Sequence, residues 1–140
     1  MCVWDETSGK VALSDTVSLW ADMPRKRLIA ALEDFTGMPL FTDDPEHAAV
    51  VSTGAFPFLG AQSACLCTLR RGRLHCVEFA LTGGTAAKQR ETLFRFLNAQ
   101  DPCADAMRSV LLRYPFGTAW IAADPRSGDA TLRITYAVKE

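Results

Sequence analysis

The chain has 140 residues, a formal net charge of −1 and a mean hydropathy of +0.05, with 49% hydrophobic and 22% charged residues. That balance excludes a disordered chain, and the length suits one compact domain, 1–140, that buries its own core without a metal or a disulfide. The near-neutral charge argues against a general nucleic-acid or acidic-membrane binder, and no stretch nears the roughly 20 apolar residues of a membrane span.

Residues 1–9 carry no regular pattern and are expected to be loosely held. They include no basic, apolar leader, so a cytoplasmic protein is expected; Cys2 gains a role only as the lipidated first residue of a mature lipoprotein. Val11 and Leu13 alternate with Ala12 and Ser14, as in a short strand. A helix follows, with Asp22 as its cap, Pro24 in its first turn, and Gly37 and Pro39 ending it. Leu28, Ala31, Leu32 and Phe35 form its apolar face. Arg25, Lys26 and Arg27 crowd its N-terminal turn, the unfavourable end for cations, which marks a candidate contact surface. Asp43-Asp44-Pro45 reads as a turn, and residues 48–53 as a strand. The glycine-bracketed run Gly54 to Gly60 reads as an apolar loop, because Pro57 bars it from the centre of a sheet.

The clearest hairpin pairs 63–69 with 74–81 around Arg70-Arg71-Gly72-Arg73. A four-residue turn sets Leu69 opposite Leu74, Thr68 opposite His75, Cys67 opposite Cys76 and Leu66 opposite Val77. Val77, Phe79 and Leu81 then share one face. The other carries Leu69, Cys67, Cys65, Leu74 and Cys76, so both faces are fairly apolar, and either both are covered or one is an interface. Gly83-Gly84-Thr85 opens a second helix to about Ala99, with Leu93, Phe94 and Leu97 inward. Asp101-Pro102 starts a third, in which Cys103, Met107, Val110, Leu111 and Tyr114 keep helical spacing until Pro115. The chain closes with a hairpin, 118–123 and 130–138, around Asp124 to Asp129. The sum is an α+β two-layer sandwich: a mostly antiparallel sheet of about five strands with about three helices on one face.

Five cysteines, Cys2, Cys65, Cys67, Cys76 and Cys103, are an odd number at sparse spacing, which fits reduced, buried thiols. A zinc site needs four converging ligands, and Cys65, Cys67, His75 and Cys76 lie on strands rather than on a knuckle turn, so no metal is expected. A thiol nucleophile needs a histidine in reach, and in the expected register His75 points away from Cys67 and Cys76. His47 carries no signal placing it near a thiol. Gly83-Gly84-Thr85 lacks the lysine and spacing of a phosphate loop and reads as a capped turn. The aspartates of the 43–46 and 124–129 segments read as turn formers. No cofactor is expected.

These features point to a non-catalytic, protein-binding or self-associating module of bacterial type. Its candidate contact residues are Phe56, Phe58 and Leu59 in the apolar loop and Arg70, Arg71 and Arg73 on the hairpin tip. The partner is expected to be another protein or a second copy in a homodimer, with no nucleic acid and no membrane. The rival reading is a small thiol-dependent enzyme using a Cys/His pair. The order of elements resembles, as architecture and on no diagnostic residue, two groups of small bacterial binding proteins. One is the secretion chaperones, which dimerise and hold an effector; the other is the helix-plus-sheet modules of assembly factors and inhibitors. The chain departs from the chaperones by ending in a strand instead of a helix.

Overall fold

Short turns make successive strands pair antiparallel, and every strand pair among the described residues does so. The computed structural model describes residues 3–40, 47–59, 61–103, 105 and 107–137. The expected turn at Asp43-Asp44-Pro45, Cys2, Gly60 and Val138 lie outside them. Strands β1 (Val3–Trp4), β2 (Val11–Ala12) and β3 (Ser18–Leu19) form a small sheet in that order. Strands β4 (Val50–Phe58), β5 (Ala61–Arg70), β6 (Arg73–Thr82), β7 (Val110–Tyr114), β8 (Gly117–Ala123) and β9 (Ala130–Tyr136) form a large one, ordered β4-β5-β6-β9-β8-β7. Helix α1 spans Arg25–Thr36 and α2 spans Ala86–Leu97. The class is therefore α+β around a large antiparallel sheet, as expected from the sequence.

Both helices lie on the same face of the large sheet. Phe56 and Phe58 alternate with Pro57 on β4 and pack on Phe79 of β6. Phe35 of α1 meets Phe56 at 4.9 Å between ring centres, and Phe96 of α2 meets Phe58 at 5.1 Å. Leu28 and Leu32 of α1, and Leu93 and Leu97 of α2, are fully buried with them in one contiguous core. Gly37 in the left-handed region ends α1. The expected cap at Asp22 is absent: Pro24 occupies that position with no side-chain bond. Thr85 does cap α2, accepting from the Lys88 N–H.

Four further expectations need correction. The apolar run 54–60 is not a loop, since β4 continues through Phe58 across a bulge between Thr53 and Phe56. Ser63, buried opposite, donates to the Phe56 carbonyl there at 2.8 Å. Pro57 is accommodated because β4 is an edge strand, where a missing N–H goes unmissed. Among the described residues the third helix is also absent, and its second half is β7. The expected helix turns Val110, Leu111 and Tyr114 inward, whereas the strand turns Val110, Leu112 and Tyr114 inward and leaves Leu111 exposed; pairing with β8 decides between the two. The segment before it is tied down by Arg90, whose guanidinium takes both Asp101 carboxylate oxygens and the Arg108 carbonyl.

The N-terminal residues from Val3 to Gly9 are pinned rather than loose. Trp4 packs edge-on against Tyr114 and Phe116, and the Tyr136 hydroxyl donates to the Gly9 carbonyl at 2.8 Å. Finally, the turn between β5 and β6 has two residues, Arg71 and Gly72, both at positive φ (54° and 74°), as a tight hairpin requires. Leu69 does face Leu74, but a bulge then leaves His75 unmatched. Cys76 consequently faces Thr68, Cys67 faces Val77 and Leu66 faces Glu78.

Candidate binding surfaces

The bulge decides the fate of the thiols. Cys65 and Cys67 point into the core, fully buried, with sulfurs 3.9 Å apart, while Cys76 turns to the opposite face and accepts from the Thr135 hydroxyl. Neither His75 nor Cys76 faces Cys67. The hydrogen bond it shares with Cys67, with burial behind it, pushes the Cys65 thiol well above the usual range. Burial likewise raises Cys76. Thiol chemistry needs the thiolate, and both environments disfavour it. Among the described residues no group of three or more His, Cys, Asp or Glu converges as metal ligands would.

Phe56 and Phe58, expected as contact residues, are each 1% exposed, and packing accounts for them. Leu59, 36% exposed, is the only member of that trio with a side chain left at the surface. The sequence signal was sound for burial and misleading for contact, because a run of phenylalanines reads the same in either role.

Arg70, Arg71 and Arg73 stay on the surface, and the structure adds to them. Residues 22–25 run alongside residues 72–74: Asp22 N–H donates to Leu74, Leu74 N–H to Met23, and Arg25 N–H to Gly72, at 2.9–3.1 Å. Pro24 and Arg73 form an antiparallel bridge, and the Arg73 guanidinium donates to the Asp22 carbonyl. This stitching brings Arg25, Lys26 and Arg27, at the start of α1, against the arginine hairpin. The Arg25 guanidinium lies beside Gly72 and donates to the Ala48 carbonyl at 2.8 Å. Arg27 extends over the Trp20 ring, 5.0 Å from its centre. On the hairpin side of this basic corner, Arg70, Arg71 and Arg73 line a cavity of about 190 Å³ together with Asp22, His75 and Tyr136. Six of the chain's 15 lysines and arginines thus occupy one corner, leaving nine to balance 16 carboxylates. Each run is visible in the sequence by itself; the backbone ladder that joins them leaves no trace in composition or spacing.

The second surface is the face of the large sheet opposite the helices, on which no described element packs. Its rows follow from the strand register. One row runs Val50, Thr68, Cys76, Thr135, Thr118, Arg113 from β4 to β7, and the next Ser52, Leu66, Glu78, Arg133, Trp120, Leu111. A third carries Ala64, Ala80, Thr131 and Ala122. Solvated sheet faces are usually rich in charge. Here one ion pair, Arg133 to Glu78 at 2.9 Å, sits at the middle of a carpet of alanine, threonine and apolar residues. Arg133 also lies over the Trp120 ring, and Leu111 is 51% exposed. The expectation that both faces of the β5–β6 hairpin are apolar therefore needs amending: the expected residues gather on the covered face, apart from Cys76.

No helix among the described residues is long and apolar enough to cross a membrane. No protein-family model matches the chain, and neither does any curated protein or solved structure.

Proposed function

We propose that the protein is a non-catalytic module that binds another protein, and that the basic corner receives an acidic stretch of that partner. The reading is carried by one observation: the ladder between residues 22–25 and 72–74 sets two separate arginine and lysine runs side by side, next to a cavity lined by the three hairpin arginines. Forked guanidinium groups suit carboxylates, each arginine offering parallel donors to one carboxylate. A short acidic segment fits this corner better than nucleic acid, because a long polyanion laid across the molecule meets the net negative remainder. The rival thiol enzyme loses support from the burial of Cys65, Cys67 and Cys76 and from the raised pKa of Cys65 and Cys76. A cytoplasmic setting suits the four described cysteines, all of them free thiols.

A labelled peptide of about ten glutamates and aspartates, titrated into the full chain at about 50 mM salt, tests the reading by fluorescence anisotropy. Binding is expected to weaken about tenfold or more when both Arg71 and Arg73 are changed to Glu, and to weaken as salt rises. Tighter binding of a single-stranded oligonucleotide than of the peptide, or no loss in the double variant, would overturn it.

A further inference from the structure

We infer that the uncovered face of the large sheet binds a second copy of this chain, face to face about a two-fold axis that runs parallel to the strands between β6 and β9. The inference is independent of the basic corner and rests on the order of side chains along the rows. The sheet has six strands, so the boundary between β6 and β9 is its midline. A two-fold axis along that midline lays each β6 position over the β9 position of its partner, β5 over β8, and β4 over β7. Two antiparallel sheets stacked about 10 Å apart, with strands within about 30° of one another, keep such rows in contact.

Under this operation the middle row is self-complementary. Glu78 of β6 lies over Arg133 of β9 in the other copy, and Arg133 over Glu78, so the ion pair described on the face exchanges partners across the axis. Leu66 of β5 lies over the Trp120 ring of β8. In the third row Ala80 meets Thr131 and Ala64 meets Ala122, small residues that let two sheets approach closely. In the first row Cys76 meets Thr135 and Thr68 meets Thr118. No like charges are brought together. The alternative operation, with the axis across the strands, keeps every strand over itself and sets Leu66 against the partner's β5, leaving Trp120 to its own twin.

The size of the face is adequate. Six strands about 4.8 Å apart make it about 24 Å wide, and the span from Cys76 to Thr82 makes it about 20 Å long. Side-chain relief raises the accessible area above that plan of roughly 500 Å², towards the ~800 Å² per partner of a standard interface. The covered face cannot compete, since α1 and α2 already occupy it.

Sedimentation velocity of the full chain over about 1–100 μM tests the inference, with the expected species at twice the 15.3 kDa chain mass. Ala80→Arg and Ala122→Arg each place a long cation on the third row without touching the core. Each should raise the dimer dissociation constant at least about 100-fold, while the circular dichroism spectrum stays as in the unmodified chain and the acidic peptide still binds. Arg133→Glu should weaken the dimer, and adding Glu78→Arg should restore it. A monomer at the highest concentration would overturn the inference, as would a dimer indifferent to both alanine substitutions. Because the peptide titration reads a different surface, either result leaves the acidic-partner reading to stand or fall by itself.

Discussion

Cys67 and Cys76 differ in what surrounds their sulfurs, and serine should separate them. At Cys67 a hydroxyl would enter a fully buried site opposite Val77, where the described hydrogen-bond partner is the Cys65 thiol. The expected cost is about 1–3 kcal/mol, the penalty for a poorly satisfied buried hydroxyl. At Cys76 the Thr135 hydroxyl already offers a hydrogen bond at 3.7 Å, so Cys76→Ser should cost less than about 1 kcal/mol. Urea denaturation of the two variants checks the order. Equal losses would mean that the bulge at His75 does not separate the two thiols in solution. This distinction was not legible in the sequence, where both cysteines share an apolar pattern and only the count of residues per strand sends them to opposite faces.

At the level of elements, legibility followed the strength of local chemistry. Helix α2 was readable because a capping threonine, a 3.6-residue apolar period and a clean stop agree. The β8–β9 hairpin was readable because Leu132, Ile134 and Tyr136 alternate with polar residues. Strand β7 and the second half of β4 were misread because a short apolar run has no period of its own, and their state is set by the neighbour that needs pairing. One glycine holds the β7–β8 and β8–β9 junctions together. A methyl group on Gly117 would collide with the Thr135 carbonyl oxygen and crowd the Ala137 amide, and its φ of 154° adds strain. Gly117→Ala should therefore lower stability by at least about 2 kcal/mol, read as a reduced urea midpoint. An unchanged midpoint would show that β8 is free to shift away from β9 at its start.

For the molecule as a whole, the two surfaces answer to different forces. The N-terminal arm closes the end of the covered layer through Trp4 and the Tyr136–Gly9 bond, which leaves the opposite sheet face as the broad surface with no described cover. The basic corner concentrates charge, whereas the open face nearly cancels it. An axis parallel to the strands also has a directional consequence: it turns the molecule over but does not exchange its ends. The two β5–β6 tips would accordingly emerge side by side, with twelve cations at one pole and their centres on the order of 15 Å apart, less than two screening lengths at physiological salt. Added salt should thus tighten the dimer while it loosens the acidic peptide, two opposite slopes from one preparation. The peptide itself, by neutralising the crowded pole, should act as a thermodynamic glue, and the two equilibria become linked by the reciprocity that governs any pair of coupled ligands.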